Sequence, residues 1–425
     1  MNILTLNSWS HSIKYHLFSQ SGAVLLAVGT VERVGLGSSF ISQRTVGRKP
    51  FYSKTEFIEH QGAVDLIMST LTSPLHGVIA DITEISAVGH RVAHGGEEFQ
   101  HSVKIDEHVL ESIRKLHHLA PLHCAPNIAG IEAAMMRLPD VLHVAIFDTA
   151  FHRSMPECAY LYPLPYEWYE NHGVRRYGFH GPSHLYLSKR AAVHLGKPAE
   201  VCNLITIHLD KGVSLCAIKN GISIDTSMGM TPLEGAVMET RCGDIDSGIQ
   251  SYMMQKLDLS AREMEQVLNQ KSGILGLTGL RPGRQHFLGA VLDGDPRCKM
   301  ALELETYRLR KYIGSYLAAI GPLDGIVFTA GTSVAEWFVR EMVLDGLECF
   351  GVQFERGDNR TVVPRQEEVE ITANGSSTRI FVIPTNEELV YVEDVAAIYS
   401  GVNCDHRNHD YTFARSDFTH FGMKI

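Results

Sequence analysis

The sequence predicts an α/β protein of two similar domains, and three observations lead there. At 425 residues the chain exceeds one ordinary hydrophobic core, and two domains of roughly 150–250 residues are the expected division. Two stretches far apart in the chain follow one plan: apolar strand, polar turn, strand, tight turn, strand. A third stretch runs from an apolar strand through a glycine turn into an apolar-striped helix, where a helix N-terminus can meet a ligand.

The first copy of the repeated plan opens the chain. Ile3 to Leu6 form an apolar strand, and a polar turn follows. In the next strand Ile13, Tyr15 and Leu17 alternate with Ser12, Lys14 and His16, the period of two that marks a half-buried strand. A turn at Ser21-Gly22 leads into "AVLLAVGTVERV". The second copy is "NLITIHL", a turn, "VSLCAIK", Asn220-Gly221 and "ISID". Each domain is expected to open with such a hairpin, its turn directed at the other domain. A helix is predicted over "DEHVLESIRKLHHLA", where Val109, Ile113 and Leu116 recur at helical spacing and Asp106 caps the start. "VLHVAIFD" reads as a strand, and Pro156 ends regular structure beyond it. In "LDGIVFTAGTSVAEWFVREMVL" the turn is Thr329-Ala330-Gly331. After about residue 402 the chain becomes polar and aromatic without periodicity and reads as a surface tail.

Composition narrows the class. Apolar residues make up 44% and charged residues 20%, as in soluble globular proteins. The net charge of −10, without a basic block, argues against nucleic acid or an anionic membrane as the main partner. The N-terminus lacks a secretory pattern, and no apolar run approaches the length of a membrane span. Eight cysteines are scattered without a C-x-x-C pair, which fits reduced thiols in a cytoplasm.

Several polar residues stand where a plain core would not place them. "GHRVAHGGEEF" sets Arg91 between histidines, and "AIFDTAFH" puts Asp148 at the end of an apolar strand, where a buried carboxylate needs a partner. "RRYGFHGPSH" holds His180 and His184 in a glycine-punctuated loop, and a long polar loop carries Arg241, Asp244 and Asp246. Arginine offers a permanently charged planar fork for carboxylate or phosphate. Two such arginines with loop glycines suit an anion site, although any one of these residues alone is more often a surface pair or a satisfied core group. His117, His118 and His123 define no zinc geometry.

Taken together, "LNSWSHSIKY", "GHRVAHGGE", "LAPLHCAPN", "VAIFDTAFHRSMP", "YGFHGPSH", "DTSMGMTPLEGAVMETRCGDIDSG", "KYIGSY", "IVFTAG" and "PTNEEL" resemble, in order and spacing, the acetate kinase family, which includes propionate and butyrate kinases. The resemblance covers residues 1 to about 400. It implies two ribonuclease-H-like (actin-like ATPase) α/β domains with an interdomain cleft. One would span 1–150, completed by about 386–402, and the other 151–385, with 403–425 as the tail. It further implies a homodimer and reversible phosphoryl transfer between ATP and acetate, or another short-chain carboxylate, giving acyl phosphate and ADP with Mg²⁺ or Mn²⁺.

Position by position, the resemblance implies Arg91, Asp148, His180 and Arg241 as the catalytic groups. The two arginines would flank the acetate and the phosphoryl in flight, whose spread charge must be stabilised. His180 would bond that group and Asp148 would orient substrate and metal. Asn7, Ser10, Ser12 and Lys14 match a first phosphate loop, and His208, Asp210, Lys211 and Gly212 a second. Gly331 and Gln285 fall in nucleotide-binding segments. Asn7 and Glu387 match metal-linked positions, with Glu388 leaving the register open. Ala93, Leu122, Phe179 and Pro232 would line the acyl pocket. Ala93 stands where the family has valine, leaving room for a slightly longer chain, although one methylene discriminates by only ~1–3 kcal/mol.

Departures from the family pattern fall mainly on the donor side. H-L-G-N-G is replaced by His208-Leu209-Asp210-Lys211-Gly212, which puts a negative charge at a turn expected to face phosphate. In the first loop Trp9 replaces a glycine that would admit close backbone approach. The A-G-I-G-E-N motif becomes Ala330 to Ala335, an aspartate and an arginine become Gly283 and Gln285, and Glu239 replaces another glycine. The same transfer from pyrophosphate or another donor, or an inactive anion-binding paralogue, are the alternatives these departures raise.

Overall fold

The computed structural model describes residues 1–19, 24–280, 283–329, 336–363, 367–402 and 404–418. Its strands form two sheets. The first contains β1 (Asn2–Trp9), β2 (Ser12–Ser19), β3 (Val24–Glu32), β4 (Ser38–Thr45), β5 (Phe51–Phe57), β6 (Ile85–Val92), β7 (Val103–Lys104) and β8 (Leu142–Phe147), in the order β5-β4-β3-β2-β1-β6-β8-β7. The second contains β9 (Leu204–Leu209), β10 (Val213–Lys219), β11 (Ile222–Thr226), β12 (Gly325–Phe328), β13 (Val369–Glu370) and β14 (Arg379–Val382), in the order β11-β10-β9-β12-β14-β13.

The repeated plan seen in the sequence is repeated in the sheets. β1-β2-β3 and β9-β10-β11 are antiparallel meanders. β1 then pairs in parallel with β6, and β6 with β8, just as β9 pairs with β12, and β12 with β14. Alternation explains the faces of the first sheet. Leu4, Leu6, Ile13, Tyr15 and Leu17 pack with Ile67 and Met68 of the helix His60–Leu71. On the other face, Ile3, Ala87, Val144 and Ile146 meet Tyr391, Val392 and Val395 of the helix Glu387–Tyr399. In the second sheet Ile205, Ile207 and Leu215 share a core with Leu309, Ile313 and Tyr316 of the helix Pro296–Ile320. Each buried Val, Leu, Ile or Met among these contributes about 1.5–3 kcal/mol.

Two compact units result. One takes Met1–Phe151 with Asn386–Tyr411, the other His152–Thr385 with the described part of Thr412–His420. No helix among the described residues is long and apolar enough to cross a membrane.

Four local readings need correction. β1 runs past the expected end at Leu6 to Trp9, so Asn7, expected in the polar turn, is a strand residue opposite Lys14, which lies in the second strand as its alternation predicts. Ladder bonds are made by the backbone, so polar side chains did not stop the strands. Asp106 does cap a helix, accepting from the Val109 amide at 2.9 Å, but that helix ends at Lys115 and a 3₁₀ turn, Leu116–His118, follows. Pro121 opens the next helix, Pro121–Arg137, and the residue before a proline resists helical geometry. His184 lies within the helix Gly181–Leu195 rather than a loop; Pro182 sits in the first turn, where its missing N–H costs nothing. The segment read as a surface tail buries Cys404, Tyr411 and Phe413 completely. The Tyr411 hydroxyl donates to Asp394 at 2.7 Å, and Arg190 donates to the Phe413 carbonyl at 2.8 Å.

Candidate active site

In the first unit the polar residues gather at the C-terminal ends of neighbouring parallel strands, the usual place for a ligand in an α/β sheet. Arg91 is the penultimate residue of β6, Asp148 directly follows β8, and Asn7 lies on β1, on the other side of β6. Arg91 donates through Nε and Nη2 to the two Asp148 oxygens, at 2.9 and 2.5 Å, and through Nη1 to Asn7 Oδ1 at 3.1 Å. Both charged partners are nearly buried, at 8% and 2% exposure. Burial alone would lower the Arg91 pKa, but Asp148 outweighs it and raises it, so the cation is permanent. The indole of Trp9 lies over this guanidinium, 4.4 Å from its carbon.

The helix Glu387–Tyr399, capped by Asn386, brings two adjacent carboxylates to the same region. Glu387 accepts from the Tyr391 hydroxyl at 3.3 Å. Burial pushes its pKa up to about 7, against the opposing pull of Arg91. Glu388 instead binds Lys14 Nζ at 2.6 Å; burial would raise it, yet Lys14 holds it at about 2. Lys14, expected among the phosphate ligands, is therefore engaged by Glu388. Ser10 is exposed in the turn and Ser12 is half-buried at the start of β2. Ala93 is buried, its amide donating to Asn127 Oδ1 at 2.9 Å, while Asn127 Nδ2 donates to the Ser8 carbonyl at 2.7 Å. The Leu122 side chain lies outside the described residues.

In the second unit His180 precedes the helix Gly181–Leu195 in a left-handed conformation, φ 59°, a strained geometry that clusters at functional positions. Its Nδ1 meets Ser214 Oγ at 2.8 Å, and its ring lies 4.2 Å from that of His208. Ser214 also bonds His184 Nε2 at 2.9 Å, and His184 Nδ1 bonds Thr206 Oγ1 at 2.7 Å. Burial depresses the His184 pKa well below the ordinary value, so this ring braces the site without charge. His208 Nδ1 bonds Ser183 Oγ at 2.8 Å.

Gly212 lies against the same cluster. A Cβ there would stand 3.0 Å from His180 Cε1 and 3.6 Å from Arg241 Nη1, so the fold brings residues 180, 212 and 241 together and tolerates only glycine easily at the turn. Arg241 is half-buried and donates to the Pro232 carbonyl at 2.8 Å. Phe179 and Pro232 are buried, whereas Asp210 and Lys211 are exposed at the tip. Glu239 Oε1 accepts from the Gly283 amide at 3.1 Å, so two of the departures from the family pattern bond each other. Gln285 is exposed in the helix Arg284–Leu292, and Gly331 lies outside the described residues.

The acetokinase family model matches residues 2–393. The chain belongs to the acetokinase family. An acetate kinase of Geobacter sulfurreducens is 57% identical over 418 residues, covering 98% of this chain and 99% of that protein. Among solved structures, Porphyromonas gingivalis acetate kinase is 39% identical with a TM-score of 0.87, covering 93% of this chain and 99% of that one. A propionate kinase from Francisella tularensis is 34% identical with a TM-score of 0.85, at 93% and 99% coverage. This acetokinase thus has the two-domain actin-like ATPase fold, and it is a phosphotransferase whose acceptor is a carboxyl group.

Sequence reasoning passed over Ser214, Ser183 and Asn127 as functional. Ser183 and Asn127 lie inside quoted motifs and Ser214 follows the second loop, and only the folded contacts reveal that Ser214 joins two histidines and that Asn127 ties the backbone at Ala93 to that at Ser8.

Proposed function

We propose that this acetokinase transfers a phosphoryl group reversibly between ATP and acetate, or another short-chain carboxylate, with Arg91, Asp148, His180 and Arg241 as the catalytic set. The observation that carries the reading is the buried Arg91 fork, pinned by Asp148 and Asn7. A permanent cation fixed in position stabilises developing charge without reorganising during the reaction. His180 and Arg241, gathered at Gly212, supply a hydrogen bond and a second cation for the phosphoryl oxygens. Ala93, Phe179 and Pro232 give the acyl pocket its small apolar lining.

Mg²⁺ fits the residues present. Among the described residues no cluster of three or more His, Cys, Asp or Glu forms a protein-only cage, and Mg²⁺ shared with phosphates needs only one or two carboxylates. Glu387, whose burial disfavours its charge, gains from a cation beside it, and Asn7 offers an amide oxygen. Bound there, the ion neutralises phosphate charge.

A homodimer is the proposed assembly, supported by the helix Gly248–Leu257, which has no buried residue and exposes Ile249, Tyr252 and Leu257. The cytoplasm is the proposed location. Acetyl phosphate, ADP and Mg²⁺ with the purified chain should yield ATP, read by a hexokinase-coupled assay; a rate no higher than that of Arg91→Ala rejects the proposal.

One observation favours a second reading, a donor other than ATP. Asp210 and Glu239, each a departure from the family pattern, put two carboxylates on a cavity of about 20 Å³ beside Gly283, where Glu305 is paired with Arg284. Higher kcat/KM with pyrophosphate than with ATP would support that donor.

A further inference from the structure

We propose that Trp9 is a positioning residue for the acyl acceptor: its indole, over whose ring the Arg91 guanidinium carbon lies, holds that guanidinium in place to take a carboxylate. The proposal rests on the reading of Arg91 as the carboxylate fork.

Guanidinium carries five N–H donors. Asp148 takes the one on Nε and one on Nη2, and Asn7 takes one on Nη1. Among the described residues, this leaves one donor on each terminal nitrogen, a pair matched to the two oxygens of a carboxylate. With the guanidinium carbon over the ring, 4.4 Å from its centroid, the indole shields that side of the cation, and cation–π attraction resists its displacement. A glycine at this position could do neither.

Trp9 is itself held. Its carbonyl accepts from His60 Nε2 at 3.0 Å, and its ring meets His123 edge to face at 6.4 Å and 76°. Its backbone pairs with Ser12 at the hairpin end, where the side chain remains 38% exposed. An indole this exposed adds little to the core, so replacing it should leave the fold intact. The residue that looked like damage to a phosphate loop thus acts on the acceptor arginine.

The test is steady-state kinetics of the full chain with acetate varied at saturating donor. Trp9→Gly and Trp9→Leu should each raise the acetate KM about fivefold or more, with kcat changed less than about threefold. Trp9→Phe, which keeps an aromatic face, should recover most of the loss. Unchanged KM in Trp9→Gly, or wild-type KM in Trp9→Leu, overturns the role of the ring. Arg91→Lys serves as the separate control: if it too leaves KM and kcat unchanged, the carboxylate-fork reading fails instead.

Discussion

Arg91 and Arg241 carry the same charged fork, and the fold treats them in opposite ways. Arg91 is 8% exposed and joined to a carboxylate from the neighbouring strand through two hydrogen bonds. Arg241 is half-buried in an irregular loop, where it donates to a backbone carbonyl and touches the Met238 sulfur. The first arginine is part of the sheet's own architecture as well as of the site. The second is placed by a loop, its guanidinium donating to the Pro232 carbonyl beside Gly212.

Substitution should separate the two most strongly. Arg241→Ala is expected to lower kcat about 10²–10⁴-fold, the scale of losing a charge-stabilising group in the transition state, with little change in Tm. Arg91→Ala should lose comparable activity and also about 3–5 kcal/mol of stability, because Asp148 is left buried without its counter-charge. Parallel rate and thermal-melting measurements decide this; equal destabilisation by both would erase the distinction.

A smaller effect contrasts the two hairpins. Both meanders are built alike, but the second carries exposed Asp210 and Lys211 at its tip. Asp210→Gly removes a negative charge from a turn proposed to face phosphate and should lower the ATP KM by roughly fivefold. A rise in KM would mean that Asp210 assists the donor.

The smallest effect lies in pH dependence, where Glu387 and Glu388 differ although adjacent. Glu387 titrates at about 7 and Glu388 at about 2. A carboxyl whose pKa is raised in the folded state binds its proton more tightly there than when unfolded. Its contribution to stability therefore falls as pH rises from about 4.5 towards 7. Glu387→Gln should flatten the decline of Tm across that window. It should also abolish the gain in Mg²⁺ affinity that wild type shows as pH rises through 7, since a metal ligand must be deprotonated. A variant with the wild-type pH profile would remove Glu387 from the metal reading.

The large features were legible because they are written in local pattern. Alternation in Ile13, Tyr15 and Leu17 marked a strand, and the repeated hairpin plan marked two related sheets. Other features depend on contacts distant in sequence. Arg91 and Asp148 stand 57 positions apart, and their pairing follows from parallel strands lying side by side. Asn7 reads as a turn residue because polar side chains say little about whether a backbone continues its ladder, whereas Lys14 falls in the alternation of β2. His184 was read by the glycines around it, while Pro182 was already signalling a helix start. In the terminal segment aperiodicity suggested a surface, yet Tyr411 and Phe413 are buried. Irregular chain can fill a core when its aromatic rings and backbone find partners.

The most direct test is forward synthesis of acyl phosphate. Wild type and Arg91→Ala would be given acetate, ATP and Mg²⁺, with the product trapped by hydroxylamine. Wild type should form acetyl hydroxamate saturably, with at least about a hundredfold loss in the variant. Hydroxamate formed equally well without the Arg91 guanidinium, or none formed by the wild type, would contradict it.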